Sequence, residues 1–326
     1  MKALYSGILL FFLITVLLLV ETEIVLDNIT FFNASLKKAA PSATAMNRRN
    51  FSRAALQEKK ITENYYPRRD WSTKNFDTLA SSILVYDLNR EKVLFEKNII
   101  QSFPVASLTK LMTGIIIDEH KDYFEDWLCF EKEDLSVEGH RNLFQENEEY
   151  KVKDLLAASL ISSSNEAVSS LVRSLKSVLI NQGKVKNFVE LMNLRAAEMG
   201  LLSTHFSNPI GFDGNNFSTT WDLLKIARAL LRNDNEIFKS SALETKVIFS
   251  RAGRKVELYN TNKLLGKISN DVLISKTGYT DLAQGCMLIV KNFSQDEVVL
   301  IILDSSDRAA EMEKLINWVN KAYAFE

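Results

Sequence analysis

The stretch Pro104-Val105-Ala106-Ser107-Leu108-Thr109-Lys110 constrains this chain more than any other. It reads as a turn entering a helix, with Pro104 just ahead of the helix start. Ser107 and Lys110 are three residues apart, so on a helix they lie one above the other on the same face. Leu108, Leu111, Met112, Ile115 and Ile116 fill most of the other faces, which predicts a largely buried helix running to about His120. A desolvated lysine gives up its charge more readily than an exposed one, and a neutral amine can take the proton of a serine. The pair is therefore a candidate for a nucleophile activated without histidine.

The spacing alone is weak, because Ser35-Leu36-Lys37-Lys38 fits it too. Two further motifs give it weight. Ser163-Ser164-Asn165 supplies Ser-x-Asn, and Lys276-Thr277-Gly278 supplies Lys-Thr-Gly. The trio in this order resembles the signature of penicillin-binding proteins and active-site serine β-lactamases.

With 326 residues and 46% hydrophobic content, the chain can bury one large core or two small ones. Its 40 basic residues nearly balance 41 acidic ones. No basic stripe with interleaved aromatics is present, which argues against a nucleic-acid partner. The three histidines, His120, His140 and His205, lie in no metal-ligand spacing, so a zinc hydrolase is disfavoured. Cys129 and Cys286 are far apart in apolar settings; two small buried thiols are favoured over a disulfide.

Residues 3 to 20 are apolar apart from Tyr5, Ser6, Gly7 and Thr15. Lys2 precedes them, and Glu21 and Glu23 follow, which places everything downstream outside the cytoplasm. The segment is a cleaved signal or an uncleaved anchor. The anchor is favoured, since the small-x-small pattern Ala43-Thr44-Ala45 lies too far downstream for cleavage. The expected organisation is a membrane segment over 1–23, a polar tether over 24–77 and a catalytic domain over 78–326.

Within that domain, Ser82 to Asp87 and Lys92 to Glu96 read as a hairpin. Residues 121 to 150 look acidic and irregular. Asp154 to Leu160 and Glu166 to Lys176 read as helices interrupted by Ser162-Ser163-Ser164, so Ser163 and Asn165 are expected on a short loop between them. Val189 to Met199 is a further helix, stopped by Gly200. Thr219-x-x-Asp222 reads as a capping box for the helix that runs to about Arg232. Lys246 to Ser250, Arg254 to Tyr259, Val272 to Lys276, Cys286 to Val290 and Val298 to Leu303 read as strands. A last helix over Arg308 to Tyr323 carries Met312, Leu315, Ile316, Val319 and Tyr323 on one stripe. Strands at both ends and helices between them predict an antiparallel sheet covered by helices.

From about residue 79 to 322 the chain resembles the low-molecular-mass penicillin-binding proteins, serine-type D-alanyl-D-alanine carboxypeptidases. Beyond the three motifs, the likeness includes Val93-Leu94-Phe95-Glu96-Lys97-Asn98, the Thr204 to Gly211 loop, Ser218 to Leu223, Asn260-Thr261-Asn262, and Thr280 after Lys276-Thr277-Gly278. Ser164 stands where the family usually has glycine, as do Ile274 and Gln284.

The resemblance implies an α/β-type (α+β) fold like that of the penicillin-binding proteins and serine β-lactamases. This transpeptidase fold has a five-stranded antiparallel sheet flanked by helices. It implies Ser107 as nucleophile, Lys110 as base and Ser163 as proton relay. Asn165, Lys276, Thr277, Gly278, Tyr279 and Thr280 would bind substrate, with the backbone N–H groups of Ser107 and Tyr279 as oxyanion hole. The implied substrate is the peptidoglycan pentapeptide, with β-lactams as covalent inhibitors and no metal or organic cofactor. Many members carry a second β-rich domain, which this chain is expected to lack. The alternatives are a DD-endopeptidase of peptidoglycan cross-links, a serine β-lactamase and, last, a non-catalytic cell-wall-binding protein. Glu166 is read as helix-start charge.

Overall fold

Strand β1 (Ser82–Asp87) and strand β7 (Asp296–Ser305) are continuous apolar runs, as strands covered on both faces must be. They pair antiparallel, Ile83 opposite Ile302 and Leu84 opposite Ile301. Around them the five-stranded antiparallel sheet runs β5-β6-β7-β1-β2, with β2 at Lys92–Lys97, β5 at Val272–Thr280 and β6 at Gln284–Phe293. Strands β3 (Thr245–Phe249) and β4 (Lys255–Tyr259) form a separate hairpin. The computed structural model describes residues 67–181, 186–232, 236–268 and 271–325, all within the unit Tyr65–Glu326.

Alternation along the strands divides the apolar side chains between two cores. Leu84, Leu288, Val290, Val299 and Ile301 face helices α1 (Thr109–Asp118), α2 (Val152–Ile161) and α3 (Asn165–Asn181) together with α5 (Thr220–Arg232). Ile83, Val85, Met287, Ile289, Leu300 and Ile302 face α6 (Arg308–Ala322). Met312, Leu315, Ile316 and Val319 of α6 are buried as the stripe predicts. Tyr323 lies beyond the helix end and is half-buried. Helix α4 (Phe188–Glu198) ends at Gly200, whose φ of 68° is the left-handed conformation that glycine supplies at low cost.

Several expectations need correction. Residues 67–77, read as the end of a polar tether, pack on the domain. Arg68–Arg69 pairs with Tyr323–Ala324, and the Arg69 guanidinium lies 5.1 Å from the Trp318 ring centre. Residues 121 to 150 are not wholly irregular, since Trp127–Cys129 pairs with Glu149–Lys151. Cys129 is exposed rather than buried, and both thiols are free. Only half of the Thr219/Asp222 box forms. Thr219 Oγ1 accepts from the Asp222 N–H at 3.0 Å, but the Asp222 carboxylate turns to the Ser203 N–H and Thr204 Oγ1, both at 2.9 Å. The apolar segment 3–20 and the Ser35/Lys38 pair lie outside the described residues. Among the described residues, no helix is long and apolar enough to cross a membrane.

Candidate active site

Ser107 sits in a 3-10 turn, Ala106–Leu108, and the regular helix begins only at Thr109. The turn is entered through Ala106 at φ 46°, a conformation a non-glycine residue adopts only when its surroundings hold it. Gly211 is one such constraint. It packs so closely that a Cβ there would lie 2.0 Å from the Ala106 carbonyl oxygen. Thr109 Oγ1 donates to the same carbonyl at 2.7 Å.

Lys110 is fully buried, and its Nζ donates to Ser107 Oγ at 2.9 Å and to the Ile210 carbonyl at 2.9 Å. Burial first, and then the nearby Arg141 charge, lower the Lys110 pKa to about 7, while Glu166 opposes the shift. A second amine mirrors it: Lys276 Nζ donates to Ser163 Oγ and to the Thr277 carbonyl, both at 2.9 Å. Burial pushes Lys276 well below its ordinary value, and the charges of Lys110, Arg141 and Arg308 add to that. Ser163 and Lys276 are 113 positions apart in the sequence and are brought together by tertiary contact alone.

Strand β5 is a sheet edge, and it carries Lys276, Thr277 and Gly278 past the Ser107 turn. The motif lies inside this strand rather than between two strands. A cleft of about 340 Å³ opens there, lined by Ser107, Ser163, Thr277, Gly278 and Tyr279. Thr277 Oγ1 donates to Thr261 Oγ1 at 2.7 Å, and Asn262 Nδ2 donates to Ser275 Oγ at 3.0 Å. The segment before β5 therefore braces the edge strand.

Ser163 has φ 56° and lies in the middle of the three-residue break between α2 and α3. Asn165 is the first residue of α3 rather than a loop residue. Its Nδ2 donates to the Glu138 carbonyl at 2.7 Å, and Asn165 is not among the cleft-lining residues. Its place in the described structure is to hold the 138–141 loop. Ser164 explains its own departure from the glycine pattern. Its Oγ accepts from the Ala167 N–H at 3.0 Å, capping α3, and donates to Glu166 Oε2 at 2.8 Å. The other oxygen of Glu166 accepts from the Arg141 N–H at 2.6 Å, so both oxygens of this buried carboxylate have protein partners.

Thr280 accepts from the Ala283 N–H at 3.0 Å and braces the turn into β6; it too is absent from the cleft wall. Gln284, placed where glycine is common, has φ 51°. Sequence reasoning did not assign Arg141, Tyr259, Asn260, Thr261, Lys263 and Arg308, which complete the wall. Asn260 and Thr261 were legible as a motif without a role. Arg141 and Arg308 carry no local signal.

A model of the D-alanyl-D-alanine carboxypeptidase family matches residues 70–307. The chain is 28% identical over 247 residues to a D-alanyl-D-alanine endopeptidase of Escherichia coli, covering 74% of this chain and 77% of that one. It is 27% identical over 252 residues to a D-alanyl-D-alanine carboxypeptidase of Bacillus subtilis, covering 75% and 63%. Among solved structures, the ampicillin-bound penicillin-binding protein D2 of Listeria monocytogenes superposes with a TM-score of 0.64 at 29% identity, over 75% of this chain and 99% of that one. A Streptomyces K15 DD-transpeptidase variant, at 22% identity and a TM-score of 0.67 over 75% and 98%, shows the same fold. The chain belongs to the D-alanyl-D-alanine carboxypeptidase family.

Proposed function

We propose that this chain hydrolyses the bond between the two terminal D-alanines of peptidoglycan stem peptides through an ester on Ser107. The observation that carries the reading is the 2.9 Å contact between a buried Lys110 amine and the Ser107 hydroxyl. Ser107 Oγ attacks the scissile carbonyl while Lys110 Nζ takes its proton. The backbone N–H groups of Ser107 and Tyr279 receive the oxyanion, a contribution of roughly 3–4 kcal/mol each. Ser163, in contact with Lys276, relays the proton taken by Lys110 to the departing amine as the C–N bond breaks, and so keeps its own hydroxyl proton. Water then cleaves the ester.

Lys276, Thr277 and Arg308 serve the terminal carboxylate, which is how a near-neutral chain takes an anionic peptide. The Arg308 guanidinium lies 5.9 Å from the Tyr279 ring centre, beside strand β5. Gly278 keeps the strand close enough for both sides of the cleft to act on one carbonyl.

An endopeptidase reading of the same site is favoured by the relatives of that name in Escherichia coli, Pseudomonas aeruginosa and Haemophilus influenzae. The two activities share the D-alanyl acyl group and differ in the leaving amine. A serine β-lactamase is disfavoured because the Glu166 carboxylate is engaged by Ser164 and Arg141. Labelled penicillin tests the reading directly. A stable adduct is expected on Ser107 and should vanish in the folded Ser107→Ala variant. An adduct that survives this change, or one on Ser35, would overturn the assignment. Soluble pentapeptide and purified cross-linked dimer then separate carboxypeptidase from endopeptidase.

The apolar segment at residues 3–20 is proposed to remain as a membrane anchor, with the catalytic domain outside the cytoplasm.

A further inference from the structure

Asn216 is 1% exposed and belongs to none of the three motifs. It directly precedes the short strand Phe217–Ser218, which pairs with Phe103–Pro104. That pairing sets it beside the turn that carries Ser107. The Asn216 carbonyl accepts from the Val105 N–H at 3.0 Å, two residues before the nucleophile. Its Nδ2 donates to Thr109 Oγ1 at 2.9 Å, two residues after it. A threonine hydroxyl has one proton, and Thr109 gives its own to the Ala106 carbonyl. Thr109 can therefore only accept from residue 216, so the donor end of an amide is required there. Ala106, held at φ 46°, lies inside this bracket.

The same side chain grips the loop before it. Nδ2 also donates to the Asn208 carbonyl at 2.8 Å. Oδ1 accepts from the Ser207 N–H at 2.8 Å, the Asn208 N–H at 3.2 Å and Ser207 Oγ at 2.8 Å. Asn208 Oδ1 in turn accepts from the N–H groups of Ile210 at 3.0 Å and Gly211 at 2.6 Å. This series of bonds aims the Ile210 carbonyl, the second partner of Lys110 Nζ. Hydrogen bonds are directional, so an amine that gives one N–H to a fixed carbonyl is limited in where its lone pair can point. One buried amide thus joins the turn of the nucleophile to the carbonyl that orients its base.

We propose that Asn216 is a positioning residue that holds Ser107 and Lys110 in register with each other. The inference rests on the DD-peptidase reading and deepens it. Asn216 bonds to neither reacting side chain; it acts through Thr109 and Ala106 on one side and through Asn208 and Ile210 on the other. The charges that bear on Lys110 come from Arg141 and Glu166, and Lys276 is coupled to it. Asp213, the titratable group between Asn208 and Asn216, is bonded to Asn208 Nδ2 and the Asn215 N–H.

The test follows acylation of the full chain by labelled penicillin across pH, per folded molecule. Asn216→Leu keeps the size of the side chain and removes all its bonds. Acylation should slow by about 10²-fold, as a misplacement of about 1 Å at reacting atoms does. Its inflection should rise from about 7 to about 8 or higher, because burial is the main cause of the low Lys110 value and a released loop weakens it. Thr109→Val cuts only the link to the turn. It should slow acylation by about tenfold and leave the inflection at about 7.

A purely structural role would lower the Tm while the rate per folded molecule and the inflection stayed where they were, and that result overturns the proposal. A slower Asn216→Leu chain with an unmoved inflection also overturns it, since Lys110 would then be held without the loop. Should Asn216→Leu not fold, Thr109→Val decides, and an unchanged rate in that variant refutes the link. If the unmodified chain takes penicillin on Ser107 and the variants match it, only this proposal fails. If the unmodified chain takes none, the DD-peptidase reading fails with it.

Discussion

Gly278 approaches Ser107 so closely that a Cβ on Gly278 would lie 2.9 Å from the Ser107 backbone nitrogen. The same Cβ would meet Ala106 Cβ and the Val105 carbonyl oxygen at 3.0 Å. The glycine of the Lys-Thr-Gly motif is therefore required by space. It lets the edge strand lie against the turn that carries the nucleophile.

Gly278→Ala is expected to push β5 away from that turn, because the atoms it meets are mostly backbone. A displacement of about 1 Å at a reacting centre costs on the order of 10²-fold in rate. The second-order rate of penicillin acylation should fall by that order while the circular dichroism spectrum is retained. An unchanged acylation rate would refute the steric account.

The Lys110 pKa of about 7 sets a pH dependence. Below it the ammonium form prevails and cannot accept the Ser107 proton; above it the free amine can. Acylation should rise with pH through about 7 and then level, as measured with penicillin in buffers of constant ionic strength. A rate that is flat from about pH 6 to pH 8 would exclude Lys110 as the base. The stability contribution has the same sign. Between about 7 and the ordinary value of 10.5, the unfolded chain holds the proton that the folded one has released. This group's contribution to stability therefore increases with pH across that window.

Ser164→Ala removes the cap of α3 and one partner of the buried Glu166 carboxylate. The cap alone is worth about 1 kcal/mol, and for a domain of this size that corresponds to a Tm lower by roughly 2–4 °C. Calorimetry checks the value. No change in Tm would mean that solvent replaces the Ser164 hydroxyl without loss.

If the apolar segment at residues 3–20 remains attached, the protein should resist carbonate extraction from membranes and begin at or near Met1. A soluble protein whose first residue lies at 21 or later would show a cleaved signal instead. N-terminal sequencing of both fractions decides between them.

The three motifs, the longer helices and strands in their order, and the stripe of α6 are legible in the residues alone, whereas the Trp127–Cys129 and Glu149–Lys151 pair and the short helix Glu236–Ser240 are not. Each of the legible features is local. Spacing along a helix, alternation along a strand and a hydroxyl three residues from an amine are all readable within a short window. Helix ends were legible to within a few residues, and the Gly200 stop was legible from residue type.

Which polar groups meet depends on how distant segments pack. Ser163 reaches Lys276, and Ile210 reaches Lys110, through contacts between distant segments. The role of Ser164 could not be read locally. The same residue could cap a helix or relax a loop, and its bond to Glu166 depends on where the 138–141 loop lands. The contact of the Asn165 amide with the Glu138 carbonyl was hidden for the same reason, since the two lie 27 positions apart in the sequence. Arg141 and Arg308 were silent in the sequence because a lone arginine has no periodicity. Their place beside the two lysines follows from the sheet edge, the pinned loop and the start of α6 converging on one cleft.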